Sequence, residues 1–166
     1  WGRDDAVKLI RVDVDPAQSV AAWPPDVHIV ADARLALAEL VDAVAKSAPK
    51  RASRAEELAN LRRAKEAALG DILAPQRAYT KAIRDVLPED GIVCFDVTQL
   101  HFYSWWGFPA YRPRTIIQPG YQGTLGYGYP TALGAQVAFP EKKVVYVGGD
   151  GGFMFNCQEL ATAMRF

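Results

Sequence analysis

The stretch "VVYVGGDGGFMFN", Val144 to Asn156, constrains the fold more than any other part of the chain. A β-branched and aromatic run suited to a buried strand passes without a spacer into a glycine loop. Such loops usually cradle anions, because bare backbone N–H groups approach a phosphate closely. Here, however, Asp150 stands at the centre of the loop. A carboxylate a few ångströms from a phosphate costs about 4 kcal/mol even at an effective dielectric of 20. A divalent cation between the two reverses the sign, and Mg²⁺ readily shares carboxylate and diphosphate oxygens. The expected ligand is therefore a diphosphate held through a metal, with Asp150 as the metal ligand. A dinucleotide loop would space its glycines G-x-G-x-x-G, and its third glycine falls here at Met154.

The same rhythm extends back to Pro75. Pro75 suits the first turn of a helix, with Tyr79, Ile83 and Val86 as its apolar stripe before Pro88. "GIVCFDVTQ" reads as a strand ending near Asp96, followed by the aromatic-rich "LHFYSWWGFPAYRP". A short strand is expected at 115–117, then the glycine-rich "PGYQGTLGYGYP". Pro130 should open a helix reaching Phe139, and 143–147 a further strand. The last helix is expected to start near Asn156, with Glu159 completing a capping box. Strand and helix in alternation imply an α/β fold, a parallel sheet flanked by helices.

The first part of the chain reads differently. Residues 7–15 and Val27–Val30 have the composition of short strands. Asp32 can cap a helix over 33–46, with Leu37, Leu40, Val41 and Val44 on one face. A charge- and alanine-dense segment follows, whose residues 53–69 suit a surface helix with Arg62 and Glu66 paired at i,i+4. The division expected is 1–46 as the end of one domain, 47–74 as a linker with a helix, and 75–166 as the first part of a second. The absence of an initiator methionine and the stop at Phe166 suggest a piece of a longer, incomplete polypeptide.

Composition narrows the function. Lys plus Arg and Asp plus Glu number 19 each, for a formal charge of zero. That balance argues against a nucleic-acid partner, which needs a basic face. No run of 18 apolar residues predicts a membrane span. The two cysteines lie far apart in apolar stretches and read as reduced thiols of a cytoplasmic protein.

Several motifs together carry a resemblance. "GGDGGFMFNCQELATAMRF", "GYQGTLGYGYPTALGAQVAFPEKKVVYVGGDGG" and "RVDVDPA" are similar to segments of the acetolactate synthase, benzoylformate decarboxylase and pyruvate decarboxylase superfamily, whose members use thiamine diphosphate. The resemblance implies that Asp150 binds Mg²⁺, and that Gly149, Gly151 and Gly152 lie against the diphosphate. It implies that Leu125 wedges between the two cofactor rings, that the Gly123 carbonyl accepts from the 4′-amino group, and that Thr124 belongs to the same contact. Thr98 and Gln99 match diphosphate contacts. The family's second metal ligand and its activating glutamate have no counterpart in this chain, so no catalytic residue is expected here. The implied parent acts on 2-oxo acids as a homo-oligomer, a dimer or tetramer, and the isolated chain is expected to be inactive. The resemblance makes residues 1–46 the end of the family's middle domain, and whether that domain takes FAD or another nucleotide in the parent stays open.

The residues also admit two other readings: a dinucleotide-binding oxidoreductase domain, and a non-catalytic interaction module drawing on the aromatics Phe102, Tyr103, Trp105, Trp106, Phe108 and Tyr111. Those aromatics also suit packing or a subunit interface. Thr98 and Gln99 are equally suited to capping their loop. His28 and His101 read as structural, and Cys157 gains only its place near a helix start.

Overall fold

The computed structural model describes residues 7–20 and 23–166, which form two compact units, 1–56 and 57–166. The parts of the expected 1–46 segment at residues 1–6 and 21–22 lie outside the described residues. In the first unit, strand β1 (Ile10–Asp13) and strand β2 (Val27–Val30) pair in parallel, with Ile10 opposite Val27 and Asp13 opposite Val30. The first strand is shorter than the 7–15 expected, because the chain turns into a 3₁₀ segment at Pro16–Val20. Asp15 accepts from the Ala17 N–H at 2.9 Å there, an Asx-type turn that competes with the sheet ladder. Helix α1 (Ala33–Ser47) begins as predicted, with the Asp32 carboxylate accepting from the N–H groups of Arg34 and Leu35. Its predicted apolar face is largely exposed: Leu37, Val41 and Val44 face solvent, and only Ala36 is buried.

Helix α2 (Ala55–Leu69) leads into a 3₁₀ turn, Asp71–Leu73, and helix α3 (Ala74–Val86). Within α2 the Arg63 guanidinium donates to the Asn60 side-chain oxygen, and Lys65 Nζ donates to the Trp106 carbonyl at 2.6 Å. On α3 the predicted stripe of Tyr79, Ile83 and Val86 is corrected. Ile83 packs inward with Leu87, while Tyr79 and Val86 are exposed, Val86 at 81%. The buried line runs through Gln76, Thr80, Ile83 and Leu87 instead. It includes the polar Thr80 because its hydroxyl donates to the Gln76 carbonyl at 2.8 Å and is thereby satisfied.

The central sheet of the second unit has strand order β4-β3-β5, all parallel, formed by β3 (Ile92–Phe95), β4 (Ile116–Ile117) and β5 (Val144–Val147). All four residues of β3 are buried, and they alternate between two cores. Val93 and Phe95 pack with Leu87, Phe108, Ile83 and Leu100; Ile92 and Cys94 pack with Ala132 and Ala135. Helix α4 (Gln99–Gly107) thus lies with α3 on one face, and helix α5 (Gly128–Ala138) covers the other. This is the α/β architecture expected, a parallel sheet between helices.

Two helix starts differ from expectation. Helix α5 begins two residues before Pro130, so the proline occupies its first turn rather than its first position. Helix α6 (Asp150–Met154) follows β5, and helix α7 (Glu159–Arg165) starts after Gln158; the Asn156 capping box does not form. Glu159 instead accepts from the Thr162 hydroxyl at 2.7 Å. No helix of the described residues is long and apolar enough to cross a membrane.

Candidate functional site

The topology sets the place of the site. From β3 the chain leaves toward the α4 face, and from the neighbouring β5 toward the α5 face, next to which α6 and α7 lie. Parallel strands whose connections part to opposite faces leave a crevice at their carboxyl ends, where open α/β sheets bind ligands. Three segments meet there: residues 96–98 after β3, the turn 123–128 before α5, and residues 148–152 after β5.

Asp96 forms the floor of the crevice and is completely buried, at 0% exposure. Its N–H extends the sheet ladder to the Val147 carbonyl at 2.8 Å. Its carboxylate accepts from the N–H of Val97 at 2.8 Å, from Gly126 at 3.1 Å to each oxygen, and from Gly128 at 3.2 Å. Three backbone donors thus take the place of a cation, which is how a buried carboxylate stays affordable. The packing around it admits no side chains. A Cβ on Gly128 would lie 2.9 Å from the Asp96 nitrogen, and one on Gly152 3.0 Å from the Asp96 Cγ.

Tyr146 on β5 covers the next layer. Its hydroxyl would meet a Cβ on Gly148 at 1.8 Å, and it is buried without a hydrogen-bond partner. Burial first, and the negative Asp96 second, push the phenol up to about 12. The Tyr146 ring packs against Tyr129 and Phe153, with centroids 5.4 Å and 6.4 Å away.

The turn before α5 carries Gly123 at φ +56° and Gly126 at φ +83°, conformations that side chains rarely adopt. Gly126 is held from two directions. Its N–H donates to Asp96, and its carbonyl accepts from Asn156 Nδ2 at 2.7 Å. Between the two glycines, Thr124 and Leu125 remain exposed, Leu125 at 44%, so its apolar side chain is free to meet a ligand.

Gly149 precedes α6, and Asp150 opens it, exposed at the helix start. The first N–H groups of a helix have no intrahelical acceptor, and no side chain caps this one. Gly151 is exposed, and a Cβ there would meet open space. The loop therefore presents N–H donors and one carboxylate on an open surface, the donor set that a metal-bridged diphosphate requires. Gly152 differs from its neighbours: it is buried against Asp96 and serves the packing of the crevice floor.

Thr98 is brought to this loop, since a Cβ on Gly149 would lie 3.6 Å from its Cγ2. Its Oγ1 also caps α4, accepting from the His101 N–H at 3.1 Å. A hydroxyl that accepts still has its own proton to donate. Gln99 is not brought together with the glycine segments: its Oε1 accepts from Gln76 Nε2 at 2.5 Å, and it lines a groove of about 390 Å³ with Phe102, Tyr103 and Trp106.

His101 is 2% exposed, its ring set against Phe102 and Trp105 with centroids 5.1 Å away in each case. Neither ring nitrogen has a partner; burial lowers its pKa, partly opposed by Asp96. His28 also has a buried, unpartnered Nε2. The aromatic stretch divides: Tyr103 and Phe108 are core, while Phe102, Trp105, Trp106 and Tyr111 are half-exposed. Both cysteines are free; Cys94 is buried, which pushes its thiol up to about 11, and Cys157 is half-buried.

Sequence reasoning missed Asp96 and misassigned Asn156; the partners of Asp96 lie 30 and 32 residues further on, so no local signal marks it. Residues 96–166 match the family described as thiamine pyrophosphate enzyme, C-terminal TPP binding domain. Residues 96–166 thus carry the thiamine-pyrophosphate-binding domain of such enzymes, and that match speaks against the dinucleotide reading. It is 37% identical over 156 residues to a probable 2-ketoarginine decarboxylase of Pseudomonas aeruginosa, covering 94% of this chain and 28% of that protein. It is 35% identical over 158 residues to the acetolactate synthase isozyme 1 large subunit of Escherichia coli, with the same two coverages. A probable acetolactate synthase large subunit of Methanococcus aeolicus is 32% identical over 176 residues, covering 96% of this chain and 29% of that protein. The chain thus spans less than a third of the length of these curated relatives.

Proposed function

We propose that the chain is the diphosphate- and metal-binding part of a thiamine-diphosphate- and Mg²⁺-dependent enzyme that acts on 2-oxo acids. The reaction is decarboxylation, followed by protonation or by transfer to a second carbonyl compound. The observation that carries this reading is the convergence of Gly126, Gly128 and Gly152 on the buried Asp96 carboxylate, with Thr98 beside Gly149. The names of the relatives support the substrate class, since 2-ketoarginine is itself a 2-oxo acid.

In this reading the Asp150 carboxylate would hold Mg²⁺, which would bridge it electrostatically to a diphosphate. The N–H groups at the start of α6, with exposed Gly151 foremost and Gly149 and Gly152 beside it, receive the diphosphate. Thr98 donates its hydroxyl proton. Gln99 joins only by leaving Gln76. Leu125 supports the apolar body of the cofactor, with Gly123 and Thr124 as its backbone frame. When bound, thiamine diphosphate supplies the carbon–carbon bond chemistry, and the protein supplies orientation and electrostatics. No residue of this chain is assigned to proton transfer, so the 166 residues alone are inactive in a decarboxylase assay. The parent is a cytoplasmic homo-oligomer, consistent with the half-exposed aromatics of α4.

Calorimetry on the full-length protein tests this. Thiamine diphosphate should bind only with Mg²⁺, and Asp150→Ala should weaken binding at least tenfold, about 1.4 kcal/mol. Binding that ignores both metal and substitution would leave the interaction module as the better account.

A further inference from the structure

Gly126 links the two halves of the site. Its N–H is held by Asp96, at the end of β3, and its carbonyl by Asn156, in the segment after α6. It leaves no room for relaxation: a Cβ would lie 2.7 Å from the Phe155 Cβ and 2.8 Å from Asn156 Nδ2. Both anchors are fixed in turn. Asp96 is locked into the ladder through Val147, and the Asn156 N–H donates to the Phe153 carbonyl at 3.1 Å, closing α6. Leu125 immediately precedes the clamped residue, and Asp150 opens the helix that Asn156 follows.

We infer that Asp96 and Asn156 are positioning residues, a two-sided clamp on the Gly126 peptide that sets the Leu125 turn relative to the Asp150 loop. Neither side chain touches the ligand. The Asp96 carboxylate faces backbone donors, and the Asn156 amide spans from the α6 side to the turn. The inference rests on the function proposed above and deepens it. A diphosphate engages the Asp150 loop alone, whereas thiamine diphosphate must engage that loop and the Leu125 turn at once. Only the second ligand senses their relative placement.

The test compares two probes, inorganic pyrophosphate and thiamine diphosphate, each titrated with Mg²⁺ into full-length protein by calorimetry. Asn156→Ala removes one anchor at a partly buried position, and Asp96→Asn turns one acceptor of the Gly126 and Gly128 N–H groups into a donor. For Asn156→Ala the expectation is a tenfold or greater loss for thiamine diphosphate and less than a twofold loss for pyrophosphate. Asp96→Asn should show the same split in whatever fraction remains folded, with a lowered melting temperature. Equal losses for both probes, or no loss for either, would overturn the clamp while leaving the proposed function intact. Wild-type protein that binds neither probe overturns the proposed function, and the clamp with it.

Discussion

Single residues here often hold two duties, and the structure separates them. Thr98 is both a helix cap and a neighbour of Gly149. A lost cap costs about 1 kcal/mol. Thr98→Ala should therefore lower stability by about that amount in urea denaturation without ligand, and by more with Mg²⁺ and thiamine diphosphate present. A stability loss that appears only with Mg²⁺ and thiamine diphosphate would assign Thr98 to the ligand alone. Asp150 was legible in the sequence because its charge was out of place in a glycine loop. Asp96 was not, because nothing local distinguishes an acid that ends a strand from one that will be walled in by residues 30 and 32 positions later.

At the scale of elements, Asp32 announced the start of α1, whereas Pro130 and Asn156 misplaced the starts of α5 and α7, and apolar spacing announced faces poorly. Asp32 caps α1, and β2 spans the residues expected. By contrast, the inward line of α3 passes through Thr80, whose hydroxyl bonds locally to the Gln76 and Arg77 carbonyls and is tolerable in a packed position. Helix α5 shows how close packing selects its residues. Gly128 meets Asp96 and Tyr146, whereas Gly134, later in the same helix, meets nothing. Gly128→Ala should destabilise by about 1–3 kcal/mol through overpacking. Gly134→Ala should stabilise by about 0.5–1 kcal/mol, since glycine in a helix interior costs that much. Chemical denaturation midpoints of both variants read the contrast, and equal effects would disprove the packing argument.

For the molecule as a whole, buried titratable groups define a pH window. His101 has a folded pKa below its ordinary 6.5, so below that pH the unfolded chain takes up a proton that the folded chain refuses. Stability falls as pH drops through that range. On the alkaline side, Cys94 is raised from 9.0 to about 11 and Tyr146 from 10.0 to about 12. The unfolded chain then releases protons that the folded chain retains, and stability falls as pH rises above 9. Urea midpoints measured from pH 5 to pH 10.5 should form a plateau between about 6.5 and 9 with a decline on each side. A midpoint unchanged at pH 10.5 would contradict the burial of Cys94 and Tyr146.

By itself the sequence determined what depends on neighbours along the chain: the strand that runs into a glycine loop, the capped start of α1, the alternation that makes a parallel sheet, and the place of a carboxylate at position 150 in that loop. Only the tertiary structure decided what depends on residues far apart in the chain. It buried Asp96 beneath the N–H groups of Gly126 and Gly128, diverted Asn156 from capping to the Gly126 carbonyl, and turned Gly152 toward the floor of the crevice. The physical reason is one of range. Backbone preference and hydrophobic periodicity act over a few residues, whereas a buried polar group takes whichever donor the folded chain brings within 3 Å or so.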